Sequence, residues 1–301
     1  MFERILLALD GSELAEMALP YGEELGRRFG SELILFHVCG PEHQQYKQHM
    51  HRLYLDSLAK TMEHNMRRGQ PKGTQVKVTT KVESGEPQEN ICNLVEKNDI
   101  DLIIMTAVSA SGLKVAKRLG SVADHICRTV PIPVMLIRPQ NVQRIEGKKR
   151  LINRILLPLD GSDLSKTALP VGEELATKLK VSITLFQMAH IIIPYSADPM
   201  GNIPPINSLE LSKYEENRVR TEIIALEKEL RGKGLTVTHS VTAGFDAADE
   251  IIEAGKKVDA DLVVMSTHGR SGLRRWVFGS VAEKVLRYGE IPILLVNARP
   301  G

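Results

Sequence analysis

The sequence repeats itself, and the repeat limits the fold more than any other feature. RILLALDGSELAEMALPYGEEL, Arg4 to Leu25, returns as RILLPLDGSDLSKTALPVGEEL, Arg154 to Leu175. The closing segments match as well: GSVADHICRTVPIPVMLIR ends one half and GSVAEKVLRYGEIPILLVN the other. A duplicated unit predicts two domains of one fold, residues 1–140 and 151–301, in line with a chain of 301 residues. The stretch between them, Pro139 to Arg150, carries QRIEGKKR and reads as a solvated linker, since its charge run is short and includes Glu146.

Each half alternates strand and helix. In the second half strands are expected at Ile155–Leu159, Val181–Met188, Thr236–Val241, Leu262–Met265 and Ile293–Val296. The matching strands of the first half are Ile5–Leu9, Glu32–Val38, Val76–Val82, Leu102–Met105 and Val134–Ile137. Leu164, Ala168, Leu169, Leu175, Ala176 and Leu179 fall on one helical face, with Ser162 as the N-cap. Pro170 and Pro20 sit within these patterns and predict a kink. Glu210–Leu230 is a long amphipathic helix, and Ala247–Lys256 another. Five strands with crossover helices imply a doubly wound, Rossmann-like parallel sheet in each half. The fifth strands, VMLI and ILLV, are read as apolar edges that need covering.

In such sheets ligands collect beyond the strand C-termini, where strand order reverses. The second half has a suitable segment there, DLVVMSTHGRSGLRRWVFGS, Asp261 to Ser280. A buried strand runs into a polar glycine-bearing loop, and Gly279-Ser280 opens a new helix. Glycines allow close approach and positive φ, and the helix start offers N–H groups and a favourable dipole to an anion. Arg270, Arg274 and Arg275 add positive potential. Asp160, after the first strand, faces the same crevice and can hydrogen-bond a ribose or base. The same residues would also serve as a strand-to-helix turn, with Asp160 helping Ser162 to cap.

Composition excludes other classes. A formal net charge of +2 gives no bulk electrostatic case for nucleic acid. MFERILLALDGS lacks the pattern of a signal peptide, and no apolar run reaches membrane-spanning length, so a cytoplasmic setting is expected. Cys39, Cys92 and Cys127 are odd in number and form no CxxC pair, which fits reduced thiols and argues against zinc. The chain has no GxxxxGK[ST], no GxGxxG after a strand and no GxSxG. Ser111 and Lys114 match SxxK, a pattern short enough to arise by chance. Trp276 is read as a packing residue, and the apolar, proline-rich insertion from Ile191 to Ile206 as a surface loop.

DGS after a first strand, a later strand followed by S-T-H-G, nine residues and G-S, and the closing IPILLV together resemble the universal stress protein family. The resemblance covers nearly the whole chain, as a tandem form. In the family's signature, Gly-x-x-Gly-x9-Gly-Ser/Thr, Ser266 replaces the first glycine, while Gly269, Gly279 and Ser280 hold the other places. The resemblance implies sheet order 3-2-1-4-5 and pairing through strand five. It implies ATP binding in some members and none in others. Carried over, Pro158, Leu159 and Asp160 would hold the nucleoside end, with Met188 beside the base. Met265, Ser266, His268 and Gly269 would wrap ribose and phosphates, and Gly279, Ser280 and Val281 would complete the cradle. Mg2+ would accompany the triphosphate, with no catalytic residue and no protein metal ligand assigned.

The first half reads TAVSASGLKVAKRLGS where the second reads STHGRSGLRRWVFGS, one residue longer. Ser109 or Ala110 then replaces Gly269, and Val108 or Ser109 replaces His268, depending on register. One strong nucleotide site, in the second half, is the expectation. The reading is a cytosolic ATP-binding regulatory protein acting on an unidentified protein partner, with a pseudo-dimer inside the chain and homo-oligomers open. Two alternatives stand beside it: a slow ATP hydrolase or nucleotidyl-transfer enzyme using Asp160 and His268, and a scaffold that binds no nucleotide.

Overall fold

The computed structural model describes residues 1–40, 45–68, 76–108, 119–138, 150–191, 208–269 and 278–297. In the first half the strands are β1 (Arg4–Leu9), β2 (Glu32–Cys39), β3 (Val78–Ser84), β4 (Leu102–Thr106) and β5 (Val134–Ile137). In the second they are β6 (Arg154–Leu159), β7 (Ser182–His190), β8 (Val237–Gly244), β9 (Leu262–Ser266) and β10 (Ile293–Val296). All ten form one sheet, in the order β3-β2-β1-β4-β5-β10-β9-β6-β7-β8. Every pairing within a half is parallel, and β5 meets β10 antiparallel. LIIMT in β4 and LVVMS in β9 are buried at every position, as strands covered on both faces must be.

The helices are α1 (Leu19–Phe29), α2 (Gln45–Arg67), α3 (Pro87–Lys97), α4 (Ser121–Thr129), α5 (Asp163–Lys166), α6 (Ala168–Leu179), α7 (Ser208–Gly232), α8 (Ala247–Lys257) and α9 (Ser280–Tyr288). No helix among the described residues is long and apolar enough to cross a membrane. The linker at 139–149 and the insertion at 192–206 lie outside the described residues, as do Arg270, Arg274, Arg275 and Trp276.

The expected kinks at Pro20 and Pro170 do not occur. The chain instead stops and restarts. In the second half Ser162 caps α5, its Oγ accepting from Ser165 N at 3.1 Å, and α6 begins afresh at Ala168. In the first half a short 3-10 helix, Ala15–Ala18, precedes α1. Each proline thus lies in a first turn, where its missing N–H is no loss. Apolar periodicity runs straight across the break, which is why the pattern read as one helix.

Two aspartates hold the strands in place. Asp101 Oδ2 accepts from Glu3 N at 2.8 Å and Arg4 N at 2.9 Å. Asp261 Oδ2 does the same for Asn153 N at 2.9 Å and Arg154 N at 3.2 Å. Each carboxylate pins the start of its half's first strand beside its fourth.

The halves meet along β5 and β10, where Ile293, Leu294 and Leu295 face Leu136, Met135 and Val134. Two further contacts cross between them in matching fashion. Leu151 N donates to Glu24 Oε2 at 2.7 Å, and Met1 N to Glu174 Oε1 at 2.9 Å. Glu24 is buried, and desolvation pushes its carboxyl above the usual glutamate range. Ionising it therefore costs stability, and that cost appears as pH rises from the ordinary glutamate pKa through the raised one. Glu24→Gln keeps an acceptor for Leu151 N without the charge. Its stability to urea should gain on that of the parent as pH rises from acid to neutral. A difference independent of pH would contradict this.

Candidate functional site

The crevice of the second half opens where β6 lies between β7 and β9, the point where strand order reverses. The ladder beside it is shorter than in the first half. β6 pairs with β9 only at Ile155 and Leu156, while β1 pairs with β4 through Leu7. The next position after Leu157 is Pro158, which has no N–H for a ladder, where the first half has Ala8. The cavity here is about 250 Å³, against about 120 Å³ in the first half.

The structure brings the residues carried over from the family resemblance to the wall of this one cavity: Pro158, Leu159, Asp160, Met188, Met265, Ser266, His268, Gly269, Gly279, Ser280 and Val281. Asp160 stands on the turn after β6. Its Oδ1 accepts from Ser162 N at 2.9 Å and Ser162 Oγ at 2.6 Å, across Gly161 at φ 83°. The carboxylate is thereby both part of the turn and oriented toward the crevice. Ser266, in the place of the signature's first glycine, donates to the carbonyl of His268 at 2.5 Å and so braces the loop.

The expected positive φ is absent from Gly269 and Gly279. Gly279 has φ −60° and ψ 144°, and the left-handed glycine of this site is Gly161. Glycine is required at Gly269 for space instead, because a Cβ there would collide with Asp160 Oδ2.

His268 is held by a chain the sequence did not reveal. Thr267 Oγ1 donates its single proton to Asn297 Oδ1 at 3.1 Å, so it must accept from His268 Nδ1 at 2.9 Å. Asn297 Nδ2 in turn donates to the carbonyl of Val130 in the first half. With Nδ1 protonated, the lone pair of the neutral ring sits on Nε2. That atom is buried and has no hydrogen-bond partner among the described residues. His268 lines the cavity, and a buried polar atom without a partner calls for one.

The helix N-terminus at the other side is equally open. α5 and α8 are capped by the side chains of Ser162 and Asp246, but α9 starts at Gly279 with no side-chain cap. Its first N–H groups face the cavity through Ser280 and Val281, an arrangement that attracts anions. Phe186 and Met188 of β7 and Ile251 of α8 supply an apolar end. Phe186 and His190 were legible from Met188, since residues two apart on a strand share a face. Thr267 and Asn297 were not, because their pairing depends on where β10 ends.

In the first half Gly120 N bonds Ala107 O at 2.8 Å, as Gly279 N bonds Thr267 O at 2.9 Å. Ala107 therefore matches Thr267, and Val108, a buried apolar side chain, stands in the place of His268. Ser109 and Ala110 lie outside the described residues.

Comparison with known proteins agrees with this architecture. The universal stress protein family model matches residues 1–138 and again 152–297. A universal stress protein of Synechocystis is 22% identical over 317 residues, covering 97% of this chain and 99% of its own. One of Methanocaldococcus jannaschii is 29% identical over 154 residues, 51% of this chain and 86% of its own. The crystal structure of a universal stress protein from Archaeoglobus fulgidus covers 99% of this chain and 100% of its own, with a TM-score of 0.66 at 17% identity. That likeness concerns the fold, while the family match covers both halves: the chain belongs to the universal stress protein family, in tandem form.

Proposed function

We propose that this chain is a regulatory protein that binds an adenine nucleotide, ATP, in the cavity of its second half. The orphaned Nε2 of His268 carries the reading. Left alone, such a buried atom costs about 1–3 kcal/mol, and a donor from the ligand removes that cost. The uncapped α9 N-terminus supports a phosphate, Asp160 a ribose hydroxyl, and Phe186 with Met188 a base. A triphosphate brings Mg2+ as counter-charge, with its oxygens supplied by the phosphates. Occupancy would fix the loop after β9 and with it a surface for a protein partner. Thr267 and Asn297 give the site a direct tie to the first half.

Calorimetric titration with Mg2+ and ATP should give close to one site per chain. Asp160→Ala should weaken it and Asp10→Ala should not. His268→Ala should cost roughly 2- to 10-fold in affinity, the worth of one neutral hydrogen bond. Two sites of similar strength, or sensitivity to Asp10→Ala alone, would assign the nucleotide to the wrong half. Assay of released ADP and phosphate in the same samples separates a binder from a slow hydrolase.

A further inference from the structure

On the α2 side of the first-half sheet, beside the turn that follows β1, His37, Cys39 and His51 converge. Among the described residues they form a cluster whose donor atoms, one ring nitrogen from each histidine and the Cys39 Sγ, all lie within 4.8 Å of one another. The geometry points to a binding site for a zinc-class divalent ion, with these three as its protein ligands among the described residues.

The residues reach this point for separate reasons. Strand alternation sends Phe36 and Val38 of β2 to the first-half cavity, and His37 and Cys39 to the other face, under α2. Both are buried, and Cys39 carries a free thiol. His51 comes from α2 and stacks on His37, ring centroids 4.2 Å apart and planes 24° from parallel. α2 is fixed at this height from two sides: Tyr54 donates to Glu16 Oε1 at 2.6 Å, and Thr80 of β3 donates to Asp56 at 2.6 Å. The position of His51 is therefore set by tertiary contacts that do not involve its ring.

The second shell matches what a metal ligand needs. His37 Nδ1 is 2.9 Å from the carbonyl of Leu9, an oxygen that can only accept. Nδ1 therefore carries the proton, and in the neutral ring the lone pair sits on Nε2. An imidazole oriented by a backbone carbonyl through its other nitrogen is the usual support of a ligating histidine. Two imidazoles and a thiolate, with no oxygen donor in the cluster among the described residues, select zinc-class ions over Mg2+ or Ca2+. Coordination replaces the S–H bond of Cys39 by an S–metal bond and releases the proton to solvent.

The duplication supplies an internal control. Leu9 pairs with His37, and Leu159 with Gln187, so Gln187 and Ala189 hold the places of His37 and Cys39 in the second half. The donors belong to the first half alone, and its structure tolerates other residues at these positions. A search for CxxC passes over the site, because its ligands are assembled by a strand and a helix.

The test uses the untagged 301-residue chain, reduced and stripped with EDTA, titrated with Co2+ and then Zn2+. Binding should saturate at one ion per chain, with thiolate-to-cobalt charge-transfer absorption that Zn2+ abolishes. Cys39→Ser should remove that absorption. His51→Ala and His37→Gln should each weaken Zn2+ binding by at least the roughly 10- to 100-fold that loss of an outer-shell partner costs. Asp160→Ala, which tests the nucleotide reading, should leave the metal titration unchanged, so either result can fail without the other. Co2+ bound without charge-transfer absorption, or Zn2+ affinity unchanged in both histidine variants with native circular dichroism, overturns the proposal.

Discussion

Leu295→Asp should leave little folded protein. Leu295 is 1% exposed, paired across the β10–β5 seam with Val134, which is fully buried. It belongs to the same buried apolar core as Ile293, Leu136, Ile126 and Leu286. Removing the buried leucine side chain costs about 2–5 kcal/mol by itself. A carboxylate in its place must either stay charged without a partner or take up a proton, and each adds several kcal/mol. Domain stabilities are about 5–15 kcal/mol, so the sum consumes most of the margin. The damage also has a direction. Losing β10 uncovers the VMLI edge of β5, a short apolar strand with its backbone groups unpaired, and such edges recruit other chains. Size-exclusion chromatography should therefore show aggregates rather than a loosened monomer, and Leu295→Ala should shift the urea midpoint without that aggregation. A Leu295→Asp chain with parental elution and midpoint would show that the seam is not what joins the halves.

What the residues revealed in advance and what they concealed divides along physical lines. The strand-five seam was legible because an apolar edge has to be covered, and the family resemblance pointed to the matching strand of the other half as its cover. The crevice was legible because parallel sheets place ligands at the reversal of strand order, and the DGS turn and Gly279-Ser280 mark its two sides. The helix restart at Thr167 was hidden, because Leu164, Ala168 and Leu169 keep helical spacing across the break. Of the two reasons given for the loop glycines, close approach holds at Gly269, while the expected positive φ belongs to Gly161 instead. Gly269 needs only the absence of a Cβ. The chain from His268 through Thr267 to Asn297 and Val130 was invisible, as it joins residues from both halves through tertiary placement. The shortened β6–β9 ladder was hidden too, since the effect of Pro158 on strand pairing emerges only once its neighbours are known.

Gly269→Val should abolish ATP binding while leaving the fold intact. The backbone at Gly269 is not in the left-handed region, so valine meets no conformational penalty there of the kind expected at Gly161. The penalty is spatial. A Cβ at Gly269 would occupy the position of Asp160 Oδ2, and Oδ1 of the same carboxylate is tied to the backbone and hydroxyl of Ser162. The carboxylate must rotate or the loop must retreat. Either movement separates Asp160 from His268 and from the α9 N-terminus, the three groups the proposed site requires together. Loss of a hydrogen bond from the ligand to a charged carboxylate costs about 1.5–3 kcal/mol, or roughly 10- to 100-fold in affinity. The branched side chain also takes volume from a cavity of about 250 Å³. Affinity should fall roughly 100-fold or more, below detection in an ordinary titration. The urea midpoint should move little, because the colliding atom is the end of a side chain and not backbone. Gly269→Ala should bind weakly, between the parent and the valine variant. Parental ATP affinity in a natively folded Gly269→Val chain would remove this loop from the site and, with it, the case for a nucleotide in the second half.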